Sequence, residues 1–166
     1  SEVALGDRHT PLNPASIHLA HRAMKRALGK ALQAHWLSLA ENLLATELSM
    51  DGRAMGRRQL RNLALDFLAA GEHDEAGRLA VELFELPLCM SEELGALKVL
   101  VHHDLPGADQ ALAQFAERWQ EEALVMDQWF AVQATVPGEQ TVDRVNGLLE
   151  HPAFDWKTPN LSLIHI

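Results

Sequence analysis

Zinc chemistry needs three imidazole or carboxylate ligands that converge on one point. A helix supplies two of them most readily as H-E-x-x-H. The sequence holds nine histidines, and none opens that motif. His18 and His21 stand three apart, on one face of any helix that carries both. With a third ligand from elsewhere they could hold a metal; two helix histidines in contact with solvent are the plainer reading. His102-His103-Asp104 ends an apolar helical stretch, where a protonated imidazole suits the negative end of the helix dipole. Capping explains that group without a ligand.

Covalent chemistry finds no better footing. Ser16, Ser38, Ser49, Ser91 and Ser162 lack the G-x-S-x-G surroundings of an activated serine. Cys89 lies in Leu-Pro-Leu-Cys-Met, an apolar loop that predicts a buried, inert thiol. Glu121 and Glu122 sit near Trp119 and Trp129, as carboxylates do in glycosidases. Neighbours on a helix point about 100° apart, however, so the two cannot flank one bond. Neither G-x-x-x-x-G-K-[ST] nor G-x-G-x-x-G occurs, which leaves nucleotide binding without support. Arg53, Arg57 and Arg61 share one helical face with Arg58 beside them, and Lys25, Arg26 and Lys30 form a second basic stretch. A solvated, ion-paired face is the simple account of these; contact with an acidic partner surface is the alternative. No residue is therefore assigned a catalytic, cofactor-binding or metal-ligating role.

The elements that would position such residues are helices. Hydrophobic residues make up 48% of the 166 residues, charged residues 22% and aromatics 5%, with no tyrosine. That composition predicts a core of Leu, Ala and Val packed between helices, burying roughly 70% of the unfolded surface. A net charge of −9 disfavours nucleic acid. One cysteine excludes an internal disulfide and fits a reducing, cytoplasmic setting. No apolar run approaches the 18 or so residues of a membrane span, and no signal peptide is visible after Ser1, although Ser1 itself is not a natural start.

Residues 1–12 read as a polar arm. Asn13-Pro14 opens a long helix whose stripe is Ile17, Ala20, Met24, Ala27, Ala31, His35, Leu39 and Leu43, running to about Leu48 and broken or bent only near Gly29. After the Asp51-Gly52 turn, a second helix turns Leu60, Leu63, Ala64, Phe67 and Leu68 inward and ends at Gly71 as a C′ glycine. A third starts at Asp74 and carries Leu79, Leu83 and Phe84. A fourth, capped by Ser91, has Glu92 and Glu93 in its first turn and Leu94, Leu97, Leu100 and Val101 inward. Pro106-Gly107 opens a fifth with Ala108, Leu112, Phe115 and Trp119. A sixth, Leu124 to Ala134, is apolar on nearly every side. A seventh bears Val142, Val145, Leu148 and Leu149. No segment alternates with period two. The expectation is an all-α protein of about seven helices, an α-solenoid of antiparallel pairs of the armadillo or HEAT kind.

The stretch Leu124-Val-Met-Asp-Gln-Trp-Phe-Ala-Val-Gln-Ala-Thr135 resembles a core segment in the C-terminal helical domain of bacterial aminopeptidase N, the alanyl aminopeptidase branch of the gluzincin zinc metallopeptidases. Arg58-Gln-Leu-Arg-Asn-Leu-Ala-Leu-Asp-Phe-Leu68 resembles that family's Arg-x-Leu-Arg-Asn helix. Val142 to Phe154, followed by Thr158-Pro159-Asn160, resembles the segment before its Asn-Pro-Asn turn, and Asn13 to Leu32 its opening helix. The likeness covers residues 13–160. It implies a lid over a catalytic domain in the same polypeptide, where zinc and H-E-x-x-H would remove N-terminal residues from peptides. This chain alone is then inactive and holds no cofactor, with no nucleic-acid or membrane partner. Residues 161–166 depart from the family, whose arginines and further helices follow there, so a truncated or foreign tail and an exposed apolar patch are expected. The alternative is a free-standing helical-repeat module that binds a protein or peptide. A metal enzyme built on His18 and His21 is a third reading.

Overall fold

The computed structural model describes residues 2–7, 11–45, 47–155 and 157–158, apart from the side chains of Glu2 and Leu5. Among them the secondary structure is wholly α-helical, as expected. The order is α1 (Glu2–Gly6), α2 (Pro14–Ala31), α3 (Gln33–Asn42), α4 (Gly52–Ala70), α5 (Glu75–Glu85), α6 (Met90–His102), α7 (Ala108–Trp119), α8 (Ala123–Ala134) and α9 (Thr141–Leu149). Among the described residues nine helices stand where about seven were expected. The polar arm contains the short α1, and the long first helix is two. The helices group into two compact units, one of α1 to α4 and one of α6 to α9 with most of α5.

In the first unit, α2 starts as its sequence dictates. Asn13 Oδ1 accepts from the Ser16 amide at 3.0 Å, with Pro14 in the first turn. The helix is broken near Gly29, as expected, at Leu32 (φ −115°, ψ 23°). From there α3 begins at Gln33. Trp36 stacks on Phe67 of α4 at 4.5 Å and 10°, and its indole donates to the Leu28 carbonyl at 3.1 Å. Gly29 lies within α2 at its crossing of α4. A Cβ there would stand 2.4 Å from the Phe67 carbonyl oxygen and 2.7 Å from the Gly71 nitrogen. Gly71 therefore serves close helix approach. It is not the left-handed C′ residue: its φ is −79°. Glu72 takes that place at φ 59°, in a Schellman turn where the His73 amide reaches the Leu68 carbonyl and the Glu72 amide that of Ala69.

The α4 stripe also differs from expectation. Ala64, Leu65, Leu68 and Ala69 are buried, whereas Leu63 is 45% exposed and Leu60 also faces outward. Arg58 and Arg61 fill the inward places instead. Arg58 Nη1 donates to the Ser49 carbonyl at 2.7 Å, and Arg61 Nε to the Ala40 carbonyl at 3.2 Å. The second of these satisfies a carbonyl in the last turn of α3, which its own helix leaves open.

In the second unit the core is Leu79, Leu83, Phe84, Leu97, Leu100, Val101, Leu112, Phe115, Met126, Trp129, Phe130 and Leu148. Pro106-Gly107 opens α7 as anticipated, Gly107 taking φ 94°. Ser91 does not cap α6. The helix begins one residue earlier, with Cys89 as an extended N-cap residue that gives no side-chain bond. Glu92 reaches back instead and accepts from the Leu88 amide at 2.9 Å. Asp104 (φ 50°) closes α6 in a second Schellman turn, the Leu105 amide meeting the Leu100 carbonyl. Helix α8 is less enclosed than its composition suggests, since Leu124 is 73% exposed. Val142 on α9 also points to solvent.

Candidate functional site

The residues with chemical potential stay apart. His18 is half-buried and His21 exposed on α2. Among the described residues no three His, Cys, Asp or Glu side chains gather closely enough to hold a metal ion. His102 stands in the last turn of α6, as expected, and its Nε2 also lies 3.0 Å from the Val132 carbonyl and 3.3 Å from Thr135 Oγ1, at the end of α8. Cys89 is half-buried rather than buried. Glu121 and Glu122 are exposed, and the nearby indoles have other partners. Trp129 Nε1 donates to the Leu112 carbonyl at 3.0 Å, and Trp119 Nε1 to Glu93 at 3.3 Å.

What the fold assembles from its charged groups is support. Glu93, 3% exposed, receives both Trp119 and the Arg118 guanidinium, the latter at 2.5 Å. Those donors offset the cost of burying a carboxylate. The sequence suggested only a dipole role for it, because nothing local announces partners 25 and 26 residues away. Arg58 and Arg61 were legible as a solvated basic face and are buried structural donors; Arg53 and Arg57 keep the solvent. Lys25 pairs with Asp66 at 2.5 Å, and Arg26 and Lys30 both pair with Glu72, at 2.5 and 3.0 Å. Lys30 and then Arg26 hold the Glu72 carboxyl below its ordinary value. Hydrogen bonds from Ser49 and the Ala54 amide do the same for Asp51, the N-cap of α4.

The feature that stands open is a helix face. At about 100° per residue, Gly29 lies opposite Ala20, Met24, Ala27 and Ala31 on α2. The half-buried His18 and Lys25 lie on the Gly29 side. The packed side of α2 is thus the small and polar one. Of the apolar stripe read as core, Ile17 is half-buried, whereas Ala20, Met24, Ala27 and Ala31 are exposed, Met24 by 55%. Leu28 on α2, Leu32 just after it, and Leu60 and Leu63 on α4 are exposed too. No helix of the described residues is long and apolar enough to cross a membrane.

Within each unit the helices pack on one another in chain order, and among the described residues no metal-holding cluster is gathered; together these define an all-helical scaffold of the repeat type. The chain belongs to the family described as a domain of unknown function (DUF3458_C), ARM repeats, whose model matches residues 1–163. It is similar to the aminopeptidase N of Escherichia coli, 32% identical over 149 residues, which cover 90% of this chain and 17% of that protein. The Haemophilus influenzae aminopeptidase N is 28% identical over 159 residues (96% and 18%), and that of Caulobacter vibrioides 32% over 161 residues (96% and 19%). The chain thus spans less than a fifth of the length of these relatives. Its fold is similar to that in the crystal structure of Legionella pneumophila aminopeptidase A in complex with aspartic acid. The TM-score is 0.83 at 21% identity, covering 99% of this chain and 20% of that one.

Proposed function

We propose that this chain is the C-terminal helical domain of a cytoplasmic zinc-dependent aminopeptidase, in which it lies over the active site and limits access to peptides and small substrates. The observation that carries the reading is the match of 90–96% of the chain to aminopeptidase N proteins five to six times its length. The exposed apolar stripe of α2 supports it, as a face for the catalytic domain of the same polypeptide or for further helices. The single cysteine supports a reducing compartment.

The described residues do not assemble a zinc site, so no chemical step is assigned to this chain. In the parent enzyme, zinc would polarise the scissile carbonyl and activate water. This domain's part is steric: helices held at fixed spacing by Gly29–Gly71 and by the buried arginines present a stiff wall. The test is a graft of this chain in place of the matching segment of the E. coli aminopeptidase N. We expect dipeptide hydrolysis to be retained and long unfolded polypeptides to stay poor substrates, while deleting the segment removes that size discrimination. A folded graft that cleaves long chains as fast as short ones would contradict the lid. The same exposed face favours a second reading, a helical-repeat module that binds a protein or peptide, if the chain proves to occur on its own.

A further inference from the structure

We draw no further inference here: the strongest candidate, the open groove of the second unit lined by Glu85, Gln114, Glu117 and Arg118, is a pair of surface carboxylates beside an arginine already held by Glu93, and nothing in the structure points to a ligand for it.

Discussion

Replacing Gly29 by alanine tests whether α2 and α4 meet as closely as the fold requires. The added Cβ would stand 2.4 Å from the Phe67 carbonyl oxygen and 2.7 and 2.9 Å from the Gly71 nitrogen and Cα. All three neighbours are backbone, so no side chain can rotate away. Roughly 3.5 Å is needed for comfortable contact, and the helices must separate by about 1 Å. Overpacking of this kind costs about 1–3 kcal/mol, and rigid neighbours put it near the upper end. Alanine returns about 1 kcal/mol through helix propensity. The net loss is about 2 kcal/mol, a fall in Tm of about 4–8 °C for a chain of this size. Gly56 is the internal control: it sits in the exposed part of α4, with nothing within 4 Å of a Cβ. There the same substitution gains propensity alone, about 1 kcal/mol or roughly 2–4 °C. Thermal unfolding followed by circular dichroism gives both numbers. If Gly29→Ala is as stabilising as Gly56→Ala, the helices do not cross at these glycines and the reasoning is refuted.

Arg61→Ala should lower the urea midpoint by the equivalent of about 2–3 kcal/mol, since it strands the Ala40 carbonyl that a charged donor now serves; an unchanged midpoint would restore the solvated-face reading. Arg118→Ala should cost about 2 kcal/mol by the same measurement, because the buried Glu93 keeps Trp119 but loses its cation. Asp104→Gly, at a left-handed position, should raise stability by up to about 1 kcal/mol, and any loss would mean that the Asp104 side chain supports the turn. Asp51 and Glu72 have carboxyls lowered from 3.8 and 4.5. Their contribution is therefore fully present above those values and lost as pH falls through the lower folded ones. Stability should hold from pH 7 to about 5 on their account and decline below about pH 4.5. In the variant Asp51→Asn that acid-side decline should be shallower, and an identical acid profile would exclude Asp51 from it.

The helical class was legible because it depends on local rules. Asn13-Pro14, Asp51-Gly52 and Pro106-Gly107 mark starts that the backbone obeys, and the stripes of α5, α6 and α7 face the core as their spacing predicts. A break near Gly29 was legible, but its exact place at Leu32 was not, since leucine is a good helix former. It reflects tertiary packing, with Trp36 settling on Phe67. Periodicity also identifies a face without saying what covers it, and so α2 came out reversed. Its small and polar side packs on α4 and its apolar side is open. The buried roles of Arg58, Arg61 and Glu93 were hidden for a related reason. A charged residue reads as solvent-facing unless its distant partner is known. The candidate site followed the same division, for the absence of H-E-x-x-H could be read directly, whereas the exposed stripe needed the fold.

The central claim, that this chain is one domain of a zinc aminopeptidase, is tested most directly by reading the coding DNA on either side of it in the source sample. An in-frame H-E-x-x-H is expected upstream of Ser1, followed by a later glutamate ligand, in one reading frame with this chain. A genuine start codon at the first residue and a genuine stop after the last would contradict it and leave a free-standing helical module in its place.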